Sequence, residues 1–337
     1  MKIGITGASG FLGSHLVHYL LMEGHEVLSI KRSSTSMSEF NVCAAYYNLI
    51  DEFKDKLVWF DCELYDTIAL SEIFRNCDVV IHCAGLISYL KSKRKELIRV
   101  NEEYTANVVN ACLGSNVRRF IGISSTGALS KKHDNKPIKE SFDWDEGASY
   151  AFYGLSKYLG DKQIWRAKEE GLDVIVLNPG VILGYGDWNK GSLRLFRNAY
   201  TKFPFYSTGS TGFIGVEDLC KATVHFINSA EVNEQYVAIS ENLSFDKVSF
   251  MMAKAFKTKA PYIKVSGLMH TAIHQLISFK EFIGIGGLLS RETSRSSVLK
   301  SQFDNSKLVN TLPFDLEPIE SVIQKACLAY NKNSPPR

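Results

Sequence analysis

None of the seven cysteines (Cys43, Cys62, Cys77, Cys83, Cys112, Cys220 and Cys327) belongs to a CxxC pair, which excludes zinc ribbons and dithiol redox motifs. Several sit inside apolar runs, where a reduced, buried thiol of a cytosolic protein is the ordinary state. Charge of one sign is lacking too: 39 Lys and Arg against 36 Asp and Glu leave a net +3. The one basic run, KSKRK from Lys91 to Lys95, is too short for a nucleic-acid footprint and reads as the solvated start of a helix. No repeat or low-complexity segment is present, and no metal is expected. A charged leader with an apolar core is also missing, because Lys2 runs directly into a strand pattern, so a cytoplasmic location is expected. The longest apolar tract, 265–289, is broken by His270, His274, Lys280 and Glu281, which argues against a membrane-spanning helix. It reads as a packed helix of a second domain, with a lid over a greasy substrate or a membrane-surface contact as alternatives.

What is present is a chain of 337 residues, 45% apolar, long enough for one large domain or two joined ones. Short β-branched runs at 2–6, 26–30, 57–60, 78–84, 118–124 and 173–179 alternate with helical patterns at 11–22, 67–75, 96–113 and 150–170. Gly24, Gly114 and Gly171 stand just past three of those helices as stop signals. This alternation predicts an α/β fold, a Rossmann-type doubly wound parallel sheet over residues 1–180. The turn-rich GYGDWNKGS at 184–192 reads as a linker to a smaller mixed substrate domain over 181–337, from which the chain returns to the first sheet around 211–240.

The stretch TGASGFLG, Thr6 to Gly13, follows the first strand and opens a helix, the context a dinucleotide-binding turn requires. Gly7 and Gly10 would let the backbone pass close to a pyrophosphate at the positive helix end near Phe11, and Gly13 would permit close packing of helix on strand. The spacing is GxxGxxG, not the generic GxGxxG. After the second strand, where an acid would bind the ribose hydroxyls of NAD, stand Lys31 and Arg32. A guanidinium suits a 2′-phosphate, so NADP is favoured and NAD remains possible.

Tyr153 and Lys157 in YGLSK lie one helical turn apart. A phenol with pKa of about 10 is a poor proton carrier at neutral pH unless a nearby ammonium lowers that value. Such a pair can move a proton to or from an alcohol oxygen while a nicotinamide exchanges the hydride. In ISSTGAL, at the carboxyl end of the fifth strand pattern, Ser125 or Thr126 could hydrogen-bond the same oxygen.

In this order the three motifs resemble the extended branch of the short-chain dehydrogenase/reductase superfamily, the NAD-dependent epimerase/dehydratase family. HCAG at 82–85, Asn101, NPGVILG at 178–184 and VED at 216–218 add to the likeness, which runs over nearly the whole chain. The resemblance implies Thr126, Tyr153 and Lys157 as the catalytic set, with Lys157 also on the nicotinamide ribose, and favours Thr126 over Ser125. It implies Asp61 and Cys62 beside the adenine, and Pro179, Gly180 and Val181 beside the nicotinamide. Ser9, Phe11, Leu12, Cys83, Ala84, Gly85, Asn101 and Ser124 complete the implied cofactor contacts. It also implies a homodimer through a helix-to-helix contact.

Dehydratases of this type carry an acidic pair after the catalytic hydroxyl, where this chain has Gly127 and Ala128. The Arg32 and SSTGA features look more like dihydroflavonol reductases and 3β-hydroxysteroid dehydrogenases. The expectation is therefore an NADP-dependent oxidoreductase acting on a small-molecule ketone or secondary alcohol. The alternatives are a nucleotide-sugar epimerase with tightly bound NAD and, in another class, an NADP-sensing regulator without chemistry.

Overall fold

A computed structural model describes residues 1–48, 53–129, 136–140, 152–265 and 299–332. Tyr150 and nearly all of the apolar tract at 265–289 lie outside them. Strands β1 (Lys2–Thr6), β2 (Glu26–Lys31), β3 (Leu57–Asp61), β4 (Val79–His82), β5 (Arg119–Ile123) and β6 (Asp173–Pro179) form one sheet. The chain then makes β7 (Val181–Leu183), β8 (Phe205–Tyr206) and β9 (Ser210–Gly215), and returns with β10 (Glu234–Ala238) to the sheet edge beside β6. The strand order is β10-β6-β5-β4-β1-β2-β3, and every neighbouring pair is parallel.

Parallel strands covered on both faces need apolar residues on both, and β4 and β5 are buried at every position. Ile3, Ile5, Ile81, Ile121 and Ile175 face α1 (Phe11–Met22), α2 (Ser38–Tyr47) and a later helix, α8 (Val216–Asn228). Val80, Phe120, Val174 and Val176 face α3 (Thr67–Phe74), α5 (Tyr104–Leu113) and α6 (Phe152–Glu169). The order reverses between β1 and β4, and their carboxyl ends open the crevice where open α/β sheets bind ligands.

The remaining elements form a smaller mixed layer. Helix α4 (Arg94–Ile98) precedes α5, α7 (Arg194–Tyr200) follows β7, and α8 (Val216–Asn228) leads to β10. Then come β11 (Glu241–Ser244), α9 (Phe245–Phe256), β12 (Ile263–Lys264), α10 (Ser306–Thr311) and α11 (Ile319–Lys332). β9 pairs antiparallel with β11 and parallel with β7, while β12 pairs with β8.

Four local differences from the sequence reading have physical reasons. Gly24 and Gly171 adopt φ of +80° and +98°, as glycine stops do, but Gly114 ends α5 at φ −82°. The helix expected over 96–113 contains a π-turn at Arg99–Glu103 that re-aims Asn101. Helix α2 was not legible, because its SEFNVCAAYY has little apolar periodicity; it is held by His18 stacked on Tyr47 at 3.7 Å and by Tyr47 Oη donating to His15 Nδ1 at 2.6 Å. The turn-rich 184–192 is no exposed linker: Tyr185 and Trp188 are buried against Tyr330 of α11.

Candidate active site

Each glycine of the opening turn has its own reason. Gly7 has φ +70°, and a Cβ there would lie 2.6 Å from the Ala84 nitrogen, so the protein's own β4 end demands glycine. At Gly13 a Cβ would lie 2.1 Å from the Gly7 carbonyl oxygen, which lets α1 press onto the turn. Only Gly10 is not forced by packing, its nearest neighbour being the Gly7 oxygen at 3.3 Å. No side chain caps α1 at Gly10 and no acid lies in its first turn, so the amides around Phe11 and Leu12 are left for an anion. Ser9 lies half-buried on that turn, while the Phe11 ring packs edge-on to His15 at 5.1 Å.

Beyond β2 the structure separates the two cations. Lys31 pairs with the Asp61 carboxylate across the parallel register, while Arg32 is exposed with no hydrogen bond or ion pair among the described residues. Cys62 is buried, its amide donating to the Lys31 carbonyl at 2.9 Å and its thiol to the Glu63 carbonyl at 3.5 Å.

On the other side of the switch point, buried polar groups order the end of β4. The Ala84 amide donates to Thr6 Oγ1 at 3.4 Å, and Thr105 donates to the Asn101 carbonyl at 2.8 Å. His82 lies between them, with Nδ1 2.7 Å from Thr6 Oγ1 and Nε2 3.0 Å from Thr105 Oγ1. That arrangement assigns the proton to Nε2, and burial with the Lys157 charge pushes the imidazole down to about 3. Asn101 accepts from the Leu86 amide at 2.8 Å and donates to the Leu86 carbonyl and to Ser156 Oγ, both at 2.9 Å. It therefore ties the loop after Cys83, Ala84 and Gly85 to α6. A Cβ on Gly85 would come within 3.7 Å of Lys157 Nζ, which places the ammonium beside that loop.

Helix α6 reaches the strand ends because Gly154 lies against the Gly127 carbonyl, where a Cβ would approach to 2.4 Å. Tyr153 is half-buried, with its ring 5.8 Å from that of Tyr89, and of the two hydroxyls Ser125 is the one close enough to its phenol to favour the ionised form. The Thr126 hydroxyl has no hydrogen-bond partner among the described residues. Of the two neighbouring hydroxyls, the structure thus brings Ser125 to the phenol, although the resemblance favours Thr126. Burial, with Tyr89 adding, pushes the phenol well above its ordinary value, and the Ser125 hydroxyl pulls the other way. Lys157 does not offset this: its Nζ donates to the Ile123 carbonyl at 2.8 Å, and burial pushes the ammonium downward against the pull of Asp161 and Cys83.

Sequence reasoning missed Asp161, although it lies four residues beyond Lys157, in the same i, i+4 step that joins Lys157 to Tyr153. Its Oδ2 accepts from Ser124 Oγ at 2.7 Å and Asn178 Nδ2 at 3.5 Å. Gln235 of β10 donates to Asn178 Oδ1 at 2.7 Å. Pro179 is buried and Gly180 and Val181 follow it, with a Gly180 Cβ only 2.2 Å from the Gly212 oxygen of β9. Tyr89, for which no sequence signal existed, opens a cavity of about 310 Å³ lined by Phe203, Phe205, Tyr206, Phe245 and Lys259. Among the described residues no group of three or more His, Cys, Asp or Glu could hold a metal, and no helix is long and apolar enough to cross a membrane.

A doubly wound sheet with an uncapped glycine turn, and a Tyr and Lys on one helix over the strand ends, defines a nucleotide-cofactor enzyme of the extended short-chain dehydrogenase type. The model of the NAD dependent epimerase/dehydratase family matches residues 3–238, and the chain belongs to that family. Cinnamoyl-CoA reductase 1 of Petunia hybrida is 24% identical over 262 residues, covering 75% of this chain and 76% of that protein. Dihydroflavonol 4-reductase of Arabidopsis thaliana is 26% identical over 277 residues, covering 77% and 70% respectively. Among solved structures, that of gox2253 superposes with a TM-score of 0.82 at 20% identity, covering 100% of this chain and 99% of that one. UDP-glucuronic acid 4-epimerase from Bacillus cereus in complex with NAD gives a TM-score of 0.76 at 18% identity, covering 98% and 97%. These two likenesses show the shared fold.

Proposed function

We propose that the protein is an NADP-dependent oxidoreductase that transfers hydride between a nicotinamide and a ketone or secondary alcohol. The observation that carries this reading is the aromatic cavity that begins at Tyr89, beside Tyr153. Among the described residues its lining offers one cation, Lys259, and five aromatic rings, which suits an apolar or aromatic ketone. A diphosphate carries two charges and calls for paired basic groups, which the described residues of this lining do not supply. The exposed guanidinium of Arg32 supports a 2′-phosphate beside β2, with Lys31 bound to Asp61 and so contributing less.

The amides at the start of α1, the exposed Arg32 and the Gly85 loop would hold the dinucleotide. When bound, the cofactor supplies or accepts the hydride at its nicotinamide. The chain's own part is proton handling and orientation. Tyr153 gives its phenolic proton to the substrate oxygen, a neighbouring hydroxyl of Ser125 or Thr126 donates to the same oxygen, and Lys157, one helical turn away, would turn from the Ile123 carbonyl on which it rests to stabilise the phenolate left behind. Residues 1–180 with the returning β10 form the cofactor side, and the later segments the substrate side; a homodimer in the cytoplasm completes the reading.

The test is the cofactor that copurifies, followed by NADPH consumption across ketones, aldehydes and nucleotide sugars. An empty or NADP-loaded protein that oxidises NADPH with an aromatic ketone supports the reading. Tightly retained NAD with interconversion of nucleotide sugars would replace it by an epimerase.

A further inference from the structure

We propose that Asp161 is a positioning residue for Lys157: a buried carboxylate, one helical turn farther from Tyr153, that keeps the lysine ammonium charged where solvent cannot. The proposal rests on the reading of Lys157 as a working part of the site, and its test does not depend on turnover.

The geometry is specific. Lys157 is 9% exposed, and its only hydrogen bond among the described residues goes to a neutral acceptor, the Ile123 carbonyl. A desolvated ammonium on one carbonyl loses charge unless a counter-charge lies within range. On its own helix Lys157 stands one turn before Asp161 and Tyr153 two turns before. Among the described residues of β6 and β10, and in Ser124 just after β5, it meets only neutral side chains, those of Ser124, Asn178 and Gln235, directly or through one another. Those neutral groups fix the carboxylate in place but cannot balance its charge; Lys157 is the one cation among the groups that favour its ionised form. A merely structural role at this position would be served by an asparagine, which can accept the same hydrogen bond from Ser124.

Titration makes the coupling visible. Burial raises Asp161 to about 6, with Lys157, Ser124 and Asn178 opposing. The other titratable groups facing Lys157 are His82 and Cys83, both from the end of β4, which burial pushes to about 3 and about 12. Between those limits Asp161 is the group whose protonation Lys157 would sense.

The experiment follows the 13Cε resonance of Lys157 by NMR in the full chain labelled at lysine, assigned by its loss in Lys157→Met. In wild type this resonance should show a small inflection near pH 6 in addition to its own titration. Asp161→Asn should remove that inflection and lower the Lys157 midpoint by about one pH unit or more, and Asp161→Glu should restore both. Melting curves establish that each variant is folded. An unshifted Lys157 midpoint in folded Asp161→Asn overturns the proposal. If Asp161→Asn does not fold, the wild-type trace decides alone: no inflection between pH 5 and 7 overturns it. Failure of NADPH consumption with every ketone would instead strike the functional reading and leave this result standing.

Discussion

The crevice has two ends that hold the same kinds of charge in opposite surroundings. Beside β2 and β3, Lys31, Arg32 and Asp61 stand in or near water, and the Asp61 side chain is 55% exposed. Beneath α6, Lys157 and Asp161 are 9% and 5% exposed, among hydroxyls and amides that are themselves buried. Water screens the first set, so an ion pair there contributes on the order of 0.2–1 kcal/mol. Burial leaves the second set with only its neighbours to stabilise charge, so each substitution there acts through both ionisation and stability. The first end suits recognition of a phosphate that arrives with its own charge; the second suits holding a proton and a charge in place.

The largest expected effect lies at the buried end. Tyr153→Phe should lower kcat by about 10²–10⁴-fold while NADPH binding, read by fluorescence titration, stays near wild type. Wild-type turnover in that variant would sink the role given to the phenol.

Next comes Lys157→Met, which strips Asp161 of its cation. It should cost about 3–5 kcal/mol in denaturant unfolding at pH 8, and less at pH 5, where the carboxyl can take up a proton. A cost that does not change with pH would separate the two residues energetically.

In the wild type the sign follows from the raised carboxyl. Asp161 sits at about 6 when folded, above its ordinary 3.8, so its protonated form favours the fold. That contribution is present in full below pH 4 and is lost as pH rises through 6, by roughly 3 kcal/mol for a shift of this size. Melting temperatures of wild type and Asp161→Asn between pH 4 and 8 should therefore differ in slope. Parallel curves would remove Asp161 from the titrating set.

At the exposed end, Arg32→Ser should weaken NADPH binding about tenfold, roughly 1.4 kcal/mol, and leave NADH unchanged, with the loss shrinking as salt is added. Equal losses for the two cofactors would exclude a 2′-phosphate contact. Smallest of all, Asp61→Asn should shift unfolding by less than about 1 kcal/mol.

The parallel sheet was legible because apolar runs and helical periods alternate in the chain, and the ends of α1 and β6 agree with the pattern to the residue. Helix α2 was not legible, since its stability comes from His15, His18 and Tyr185, none of them within its own span. The site divides the same way. Tyr153 and Lys157 were readable from one helical turn, and Asp161 was readable by the same step. Ser125 against Thr126 was not, because adjacent residues point apart and only the seating of α6 on Gly127 decides which hydroxyl meets the phenol.

The sequence by itself determined the class of fold, the turn that opens α1, and the residues one helical step apart on α6, because those depend on spacing along the chain. Tertiary structure alone decided that Lys31 is taken by Asp61 while Arg32 has no hydrogen bond or ion pair among the described residues, that Gly7 answers to β4, and that Lys157 rests on a carbonyl before any phenol. Each of those outcomes depends on what lies across the sheet, tens of residues away in the chain, where no local pattern can reach.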